Sequence, residues 1–211
     1  MRMKENAMKN RQLKPAYNVQ HGVDAEYITW LTVAPDLTDI TTFIPFLKRI
    51  EKNSNFKYLK IVDDARYESE ENYSFIEENN QISFIKPSNY EISKTRKYKN
   101  DISRIDNMDY YSESDLFICQ NGKKLIANWI KIRKSKTGYE SVKTIYICED
   151  CSNCNYKSQC IKGNNSKISL EKRTKKFETS KKFNRQRKED LERIITDEGI
   201  LLRMNRSIQA E

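Results

Sequence analysis

Ile61-Val62-Asp63-Asp64-Ala65-Arg66-Tyr67, followed at once by Glu68-Ser69-Glu70-Glu71-Asn72-Tyr73, reads as a strand that ends on acids and turns into a helix. Tyr58, Leu59, Ile61 and Val62 are apolar enough for a strand covered on most of its surface, a pattern typical of parallel sheets. Ser69 is a good helix cap, and the acids after it suit the positive end of a helix dipole. In open α/β sheets ligands bind just beyond the carboxyl ends of strands, where Asp63 and Asp64 fall. Hard carboxylate oxygens at that point suit a divalent cation.

Upstream, Tyr17–Val23 and Tyr27–Val33 read as two strands of a hairpin joined near Asp24-Ala25-Glu26. Thr38 or Asp39 can cap a helix that carries Phe43, Ile44, Phe46, Leu47 and Ile50 on one face. Downstream, the helix from Ser69 runs to about Asn79, and Ile82-Ser83-Phe84-Ile85-Lys86-Pro87 is a short strand closed by proline. The order β-β-α-β-α-β is an α/β layout with an antiparallel start. Residues 88–162 are richer in Tyr, Asn, Ser and Lys, have weaker periodicity, hold all five cysteines and read as an inserted module. Residues 163–211 read as a basic helical segment returning to the core, with Thr196-Asp197-Glu198-Gly199 as a helix start.

The 211 residues hold 39 Lys and Arg against 30 Asp and Glu, a net charge of +9 that suits a polyanion partner. The charge is uneven: Ile61–Glu78 has seven acids and one Arg, whereas Ile161–Asp190 has eleven basic and four acidic residues. An acidic centre with basic flanks fits cations at a core and phosphates around it, although solvated helix faces explain the same charges. No apolar run approaches the roughly 20 residues needed to span a bilayer, and no signal peptide is visible. A soluble, cytoplasmic protein is expected.

Cys148, Cys151, Cys154 and Cys160 fall within thirteen residues, and Cys119 is an additional candidate. In a reducing compartment this spacing favours a structural Zn²⁺ over buried free thiols, and both over disulfides. The lone histidine, His21, sits on a distant strand and reads as a packed or surface residue.

Three ordered segments together resemble the DDE transposases of bacterial insertion sequences. They are Lys14-Pro15-Ala16-Tyr17-Asn18-Val19-Gln20, the stretch Ile61–Tyr73, and Leu201-Leu202-Arg203-Met204-Asn205-Arg206-Ser207-Ile208-Gln209-Ala210-Glu211. The Cys-rich insertion is also similar to one in a branch of that family. The resemblance implies an RNase H-like mixed sheet with helices, interrupted by a zinc-binding insertion. It implies catalytic acids at Asp64 and Glu211 holding Mg²⁺ or Mn²⁺, with Arg206 as a phosphate contact. The implied chemistry is metal-dependent cleavage and strand transfer at insertion-sequence ends, with double-stranded DNA and a transposase oligomer as partners and the nucleoid as the place of action. Arg203, Arg206, Lys172, Arg173, Lys175, Lys176, Lys181, Lys182, Arg185 and Arg187 are the candidate DNA contacts.

The likeness has gaps. The family's first Asp falls upstream of Met1, Asp24 in the hairpin turn is a poor substitute, and Arg66 stands where the family has glycine. These gaps suggest an internal piece, truncated at both ends, lacking its first strand and inactive alone. The alternatives are a non-catalytic, zinc-stabilised basic DNA-binding module, or an unrelated nuclease using Asp63, Asp64 and Glu68.

Overall fold

The computed structural model describes residues 16–36, 38–163 and 167–209. In chain order the described elements are β1 Asn18–Asp24, β2 Tyr27–Ala34, α1 Phe43–Ser54, β3 Lys60–Asp63, α2 Glu70–Glu78 and β4 Ile82–Ile85. They continue with α3 Tyr90–Ser93, α4 Arg96–Lys99, β5 Asp109–Tyr111, β6 Leu116–Ile118, β7 Lys124–Lys134, β8 Glu140–Cys148 and α5 Lys157–Cys160. The last are β9 Lys176–Thr179, α6 Lys181–Ile194 and α7 Asp197–Gln209. The mixed α/β character expected from the sequence is present. The chain divides into two compact units: Met1–Ser88 with Arg185–Glu211, and Asn89–Asn184.

In the first unit, β1 and β2 form the expected antiparallel hairpin, turning at Ala25 in the left-handed region (φ 53°). β3 and β4 pair in parallel through Lys60↔Ile82 to Asp63↔Ile85, with α2 as the crossover. Among the described residues these pairs stay as separate two-stranded sheets. The core collects Phe43 and Ile50 from α1, Ile61 from β3, Tyr73 and Ile76 from α2, Phe84 and Ile85 from β4, and Ile194 from α6. Tyr58 and Leu59, expected in the strand, precede it, and Leu59 is exposed. Thr42, not Thr38 or Asp39, precedes α1, because Asp39–Thr41 is already a 3₁₀ turn. Ser69 caps α2 as read, its Oγ accepting from Asn72 N at 3.1 Å.

Asp190 fixes α6 to β4. Its carboxylate accepts from Ser83 Oγ (2.6 Å), Ile85 N (2.7 Å) and Arg193 Nη1 (2.7 Å), and its side chain is fully buried. α7 then starts where the sequence indicated, with Gly199 N donating to Thr196 Oγ1 at 3.1 Å. Gly199 is required for packing: a Cβ there would meet Arg193 O at 2.1 Å.

The second unit is built on one antiparallel sheet in the order β5-β6-β7-β8-β9. Its core groups Met108, Phe117, Leu125, Tyr146 and Cys148, with Phe177 packed against them. Phe117 meets Tyr146 and Phe177 edge-on at 4.9 and 5.1 Å, geometry that aromatic rings favour. β9 pairs with β8, so this unit extends to Asn184, beyond the 162 boundary that composition suggested. The β7–β8 register shifts between Ala127 and Trp129, a bulge that reverses the alternation of the strand. Leu125 and Ala127 face the core, whereas Trp129, Lys131 and Arg133 fall on the other face, beside Ile145, Lys143 and Ser141.

Candidate acidic site and cysteine pocket

β3 delivers Asp63 and Asp64 to its carboxyl end. Asp63 O accepts from Lys86 N (3.2 Å), which fixes the strand end beside β4. Asp64 opens the 3₁₀ turn Ala65–Tyr67, its Oδ1 accepting from Arg66 N at 2.8 Å. Its other oxygen, Oδ2, accepts from Arg206 Nη2 of α7 at 3.3 Å, and both side chains are about a third exposed or slightly more.

A third acid, Asp39, stands in the same neighbourhood. Its Oδ1 accepts from Asn18 Nδ2 (2.6 Å), and Arg66 Nη1 lies 3.9 Å from its Oδ2. Burial pushes the Asp63 carboxyl up to about 7; Asp64 and Asp39 add to the rise, while Arg206 opposes it. The same burial, with all three acids, pushes the Tyr67 hydroxyl up. Sequence reading had Asp39 only as a helix cap; its place beside β3 is set by the turn before α1, which carries no periodic signal.

Arg66 follows Asp64 in this turn without a left-handed backbone. It is absent from the left-handed residues of the chain, and its side chain is 80% exposed. Asp24 ends β1 at the exposed hairpin turn, and His21 is an exposed β1 residue. Glu211 lies outside the described residues, two positions past the end of α7.

Several candidate DNA contacts are engaged with other groups of the protein. Arg187 grips the buried Glu68 with Nε–Oε1 at 2.6 Å and Nη2–Oε2 at 3.0 Å, and Ser88 N also donates to that carboxylate. Arg185 pairs with Glu77 and Glu189, both within 3.1 Å. Lys175 Nζ donates to the carbonyls of Ser103 and Cys160, Arg173 to that of Gly163, and Lys181 pairs with Asp115. Arg203 is half-buried on α7. Lys172, Lys176 and Lys182 are exposed, and Lys176 and Lys182 lie over the rings of Trp129 and Tyr139.

The five cysteines are free and line one small cavity of about 20 Å³ with Ile102 and Lys175. Cys148 Sγ donates to Asp150 O (3.3 Å), and Lys175 N donates to Cys151 Sγ (3.3 Å). Burial pushes the Cys148 thiol up to about 12, with Cys151 and Cys119 adding to the shift. Among the described residues no three His, Cys, Asp or Glu side chains are grouped closely enough to hold a metal. A tetrahedral Zn²⁺ needs four ligands, so the thiols as placed do not fit it. The acids differ: Mg²⁺ commonly takes one or two carboxylates with waters and substrate phosphate completing its shell, and Asp63 and Asp64 are donors of that kind.

Residues 118–211, just under half of the chain, match the family model described as the transposase DDE domain. The match supports a DDE transposase, as the sequence resemblance indicated. It ends on Glu211 and does not reach Asp64. No curated protein and no solved structure matched the chain. No helix among the described residues is long and apolar enough to cross a membrane.

Proposed function

We propose that this chain serves DNA transposition as a DDE transposase of an insertion sequence, on an RNase H-like frame, with its acidic site at the end of β3. The observation that carries this reading is the contact of Arg206 with Asp64: α7 returns to the strand end that bears the acids, 142 positions away in sequence. Asp64, with Glu211, would hold Mg²⁺ or Mn²⁺, which when bound supplies an activated oxygen nucleophile and stabilises the leaving oxygen. Asp39 adds negative charge beside Asp63 and Asp64 that favours a cation there. Arg206 is a planar, permanently charged donor, suited to a phosphodiester oxygen. Double-stranded DNA is the substrate, bound by an oligomer of the chain at the nucleoid.

The test combines Mn²⁺ binding, read by electron paramagnetic resonance, with nicking of supercoiled DNA. Asp64→Asn and Glu211→Gln should each weaken Mn²⁺ binding at least tenfold, and any metal-dependent nicking by the wild-type chain should vanish in both. Unchanged Mn²⁺ binding in Asp64→Asn would remove Asp64 from the reading.

A further inference from the structure

β7 and β8 run on past their neighbours. β6 pairs with β7 only over Lys124–Ile126, and β9 pairs with β8 only over Thr144–Ile147. Lys131–Lys134 and Glu140–Lys143 are thus a two-stranded ribbon closed by a turn in which Gly138 adopts a positive φ (93°). From Lys124 to Cys148 the ribbon and its base carry six Lys and Arg against a single acid, Glu140.

The bulge sorts these residues by face. Trp129, Lys131 and Arg133 share a face with Lys143 of β8 and with Lys176 and Glu178 of β9. Lys176 reaches across β8 to lie 5.0 Å from the centre of the Trp129 ring, which is 43% exposed. Lys131 stands directly opposite Lys143 in the register. Like charges in that position destabilise a sheet, so folding gains nothing from the pair. Glu178 pairs with Arg133 in a bidentate contact of 3.0 and 2.9 Å, and its charge also acts on Lys131 and Lys143. Four cations, Lys131, Arg133, Lys143 and Lys176, against this one acid leave the face with a net positive charge around an aromatic ring.

We propose that this face, formed by Lys131, Lys143 and Lys176 around Trp129, is a docking surface for the phosphate backbone of double-stranded DNA. Charge complementarity selects the occupant, since a duplex carries a negative charge about every 1.7 Å of its axis. Shape agrees, because a two-stranded ribbon is narrow enough for the roughly 12 Å major groove. The proposal rests on the transposase reading and moves the DNA contacts away from the α6 arginines, which are engaged with internal acids.

The test uses the full chain and a 30-base-pair duplex. In the triple variant Lys131→Gln, Lys143→Gln, Lys176→Gln, affinity should fall at least tenfold. The slope of log affinity against log salt should flatten by about 2.7, at roughly 0.9 per lost phosphate contact. A control with the same loss of charge elsewhere, Lys52→Gln, Lys97→Gln, Lys99→Gln, should keep most of the affinity. Independently, DNA should change the intrinsic fluorescence of the wild-type chain, and that change should vanish in Trp129→Phe. A triple variant that binds like wild type, or a control that loses as much, overturns the proposal and leaves the transposase reading standing. A wild-type chain that binds no duplex overturns both.

Discussion

Arg206 of α7 donates to Asp64 Oδ2 across 3.3 Å, joining the last described helix to the turn after β3. Both partners retain solvent exposure, so the pair adds little to stability, on the order of 0.5 kcal/mol. On the proposed reading it holds a cation where a phosphate would need one. Arg206→Ala should therefore leave the thermal midpoint nearly unchanged while weakening DNA nicking at least tenfold. A drop in stability of more than about 2 kcal/mol, measured by urea unfolding, would show the pair to be structural instead.

Asp190 is the opposite case. It has no exposure, and its acceptors serve a hydroxyl, a backbone amide and a guanidinium. Asp190→Ala takes the buried acceptor from Ser83 Oγ and Ile85 N, while Arg193 keeps Ser83 O and Glu189, and should cost about 3–5 kcal/mol. Asp190→Asn keeps the shape and should cost less. Urea unfolding of the two variants separates them, and equal costs would refute the account.

Gly199 reverses a familiar expectation. Replacing glycine within a helix by alanine usually stabilises by about 1 kcal/mol. Here the added Cβ would fall 2.1 Å from Arg193 O and 2.7 Å from Ile194 Cα, both of them backbone atoms that cannot turn aside. Gly199→Ala should lower stability by about 2 kcal/mol or more and loosen the approach of α7 to β3. A more stable variant would mean that the α6–α7 corner opens readily.

Cys148 supplies a pH signature. Its thiol is pushed up to about 12, chiefly by burial, so it stays protonated at neutral pH. Iodoacetamide at pH 8 should label it last among the five cysteines, as peptide mapping would show. A thiol raised above its unfolded value near 8.5 contributes stability that is complete below that pH and is lost as pH rises towards 12. Cys148→Ala should remove that loss, and an unaltered alkaline profile would contradict the assignment.

Much of the first unit was legible before any coordinates. The hairpin, the Ser69 cap, the Thr196 helix start and the parallel partner of β3 each follow from local chemistry: turn residues, hydroxyl acceptors and short apolar runs. Asp39 was not legible as a neighbour of Asp63, because their meeting depends on how the 3₁₀ turn before α1 is placed. Counting charge along 161–190 suggested a surface for polyanions, but counting cannot show that Glu68 and Glu77 lie against Arg187 and Arg185. The five-stranded sheet escaped notice for a different reason. Ile130-Lys131-Ile132-Arg133 does alternate, but its isoleucines and Val142 are exposed, and the extra residue at Asn128 breaks the alternation that Leu125 and Ala127 begin.

The shifted register between Ala127 and Trp129 means that strand length, more than residue choice, decides what the ribbon shows to each side. A regular ladder without the bulge, with Asn128 itself paired to Ile145, would shift every residue beyond it by one place and turn each to the opposite face. Isoleucines 130 and 132 would then take the places now held by Lys131 and Arg133, and a cationic surface would become a greasy one without a single substitution. The one extra residue at Asn128 is therefore what turns the lysines and not the isoleucines to this side of the ribbon.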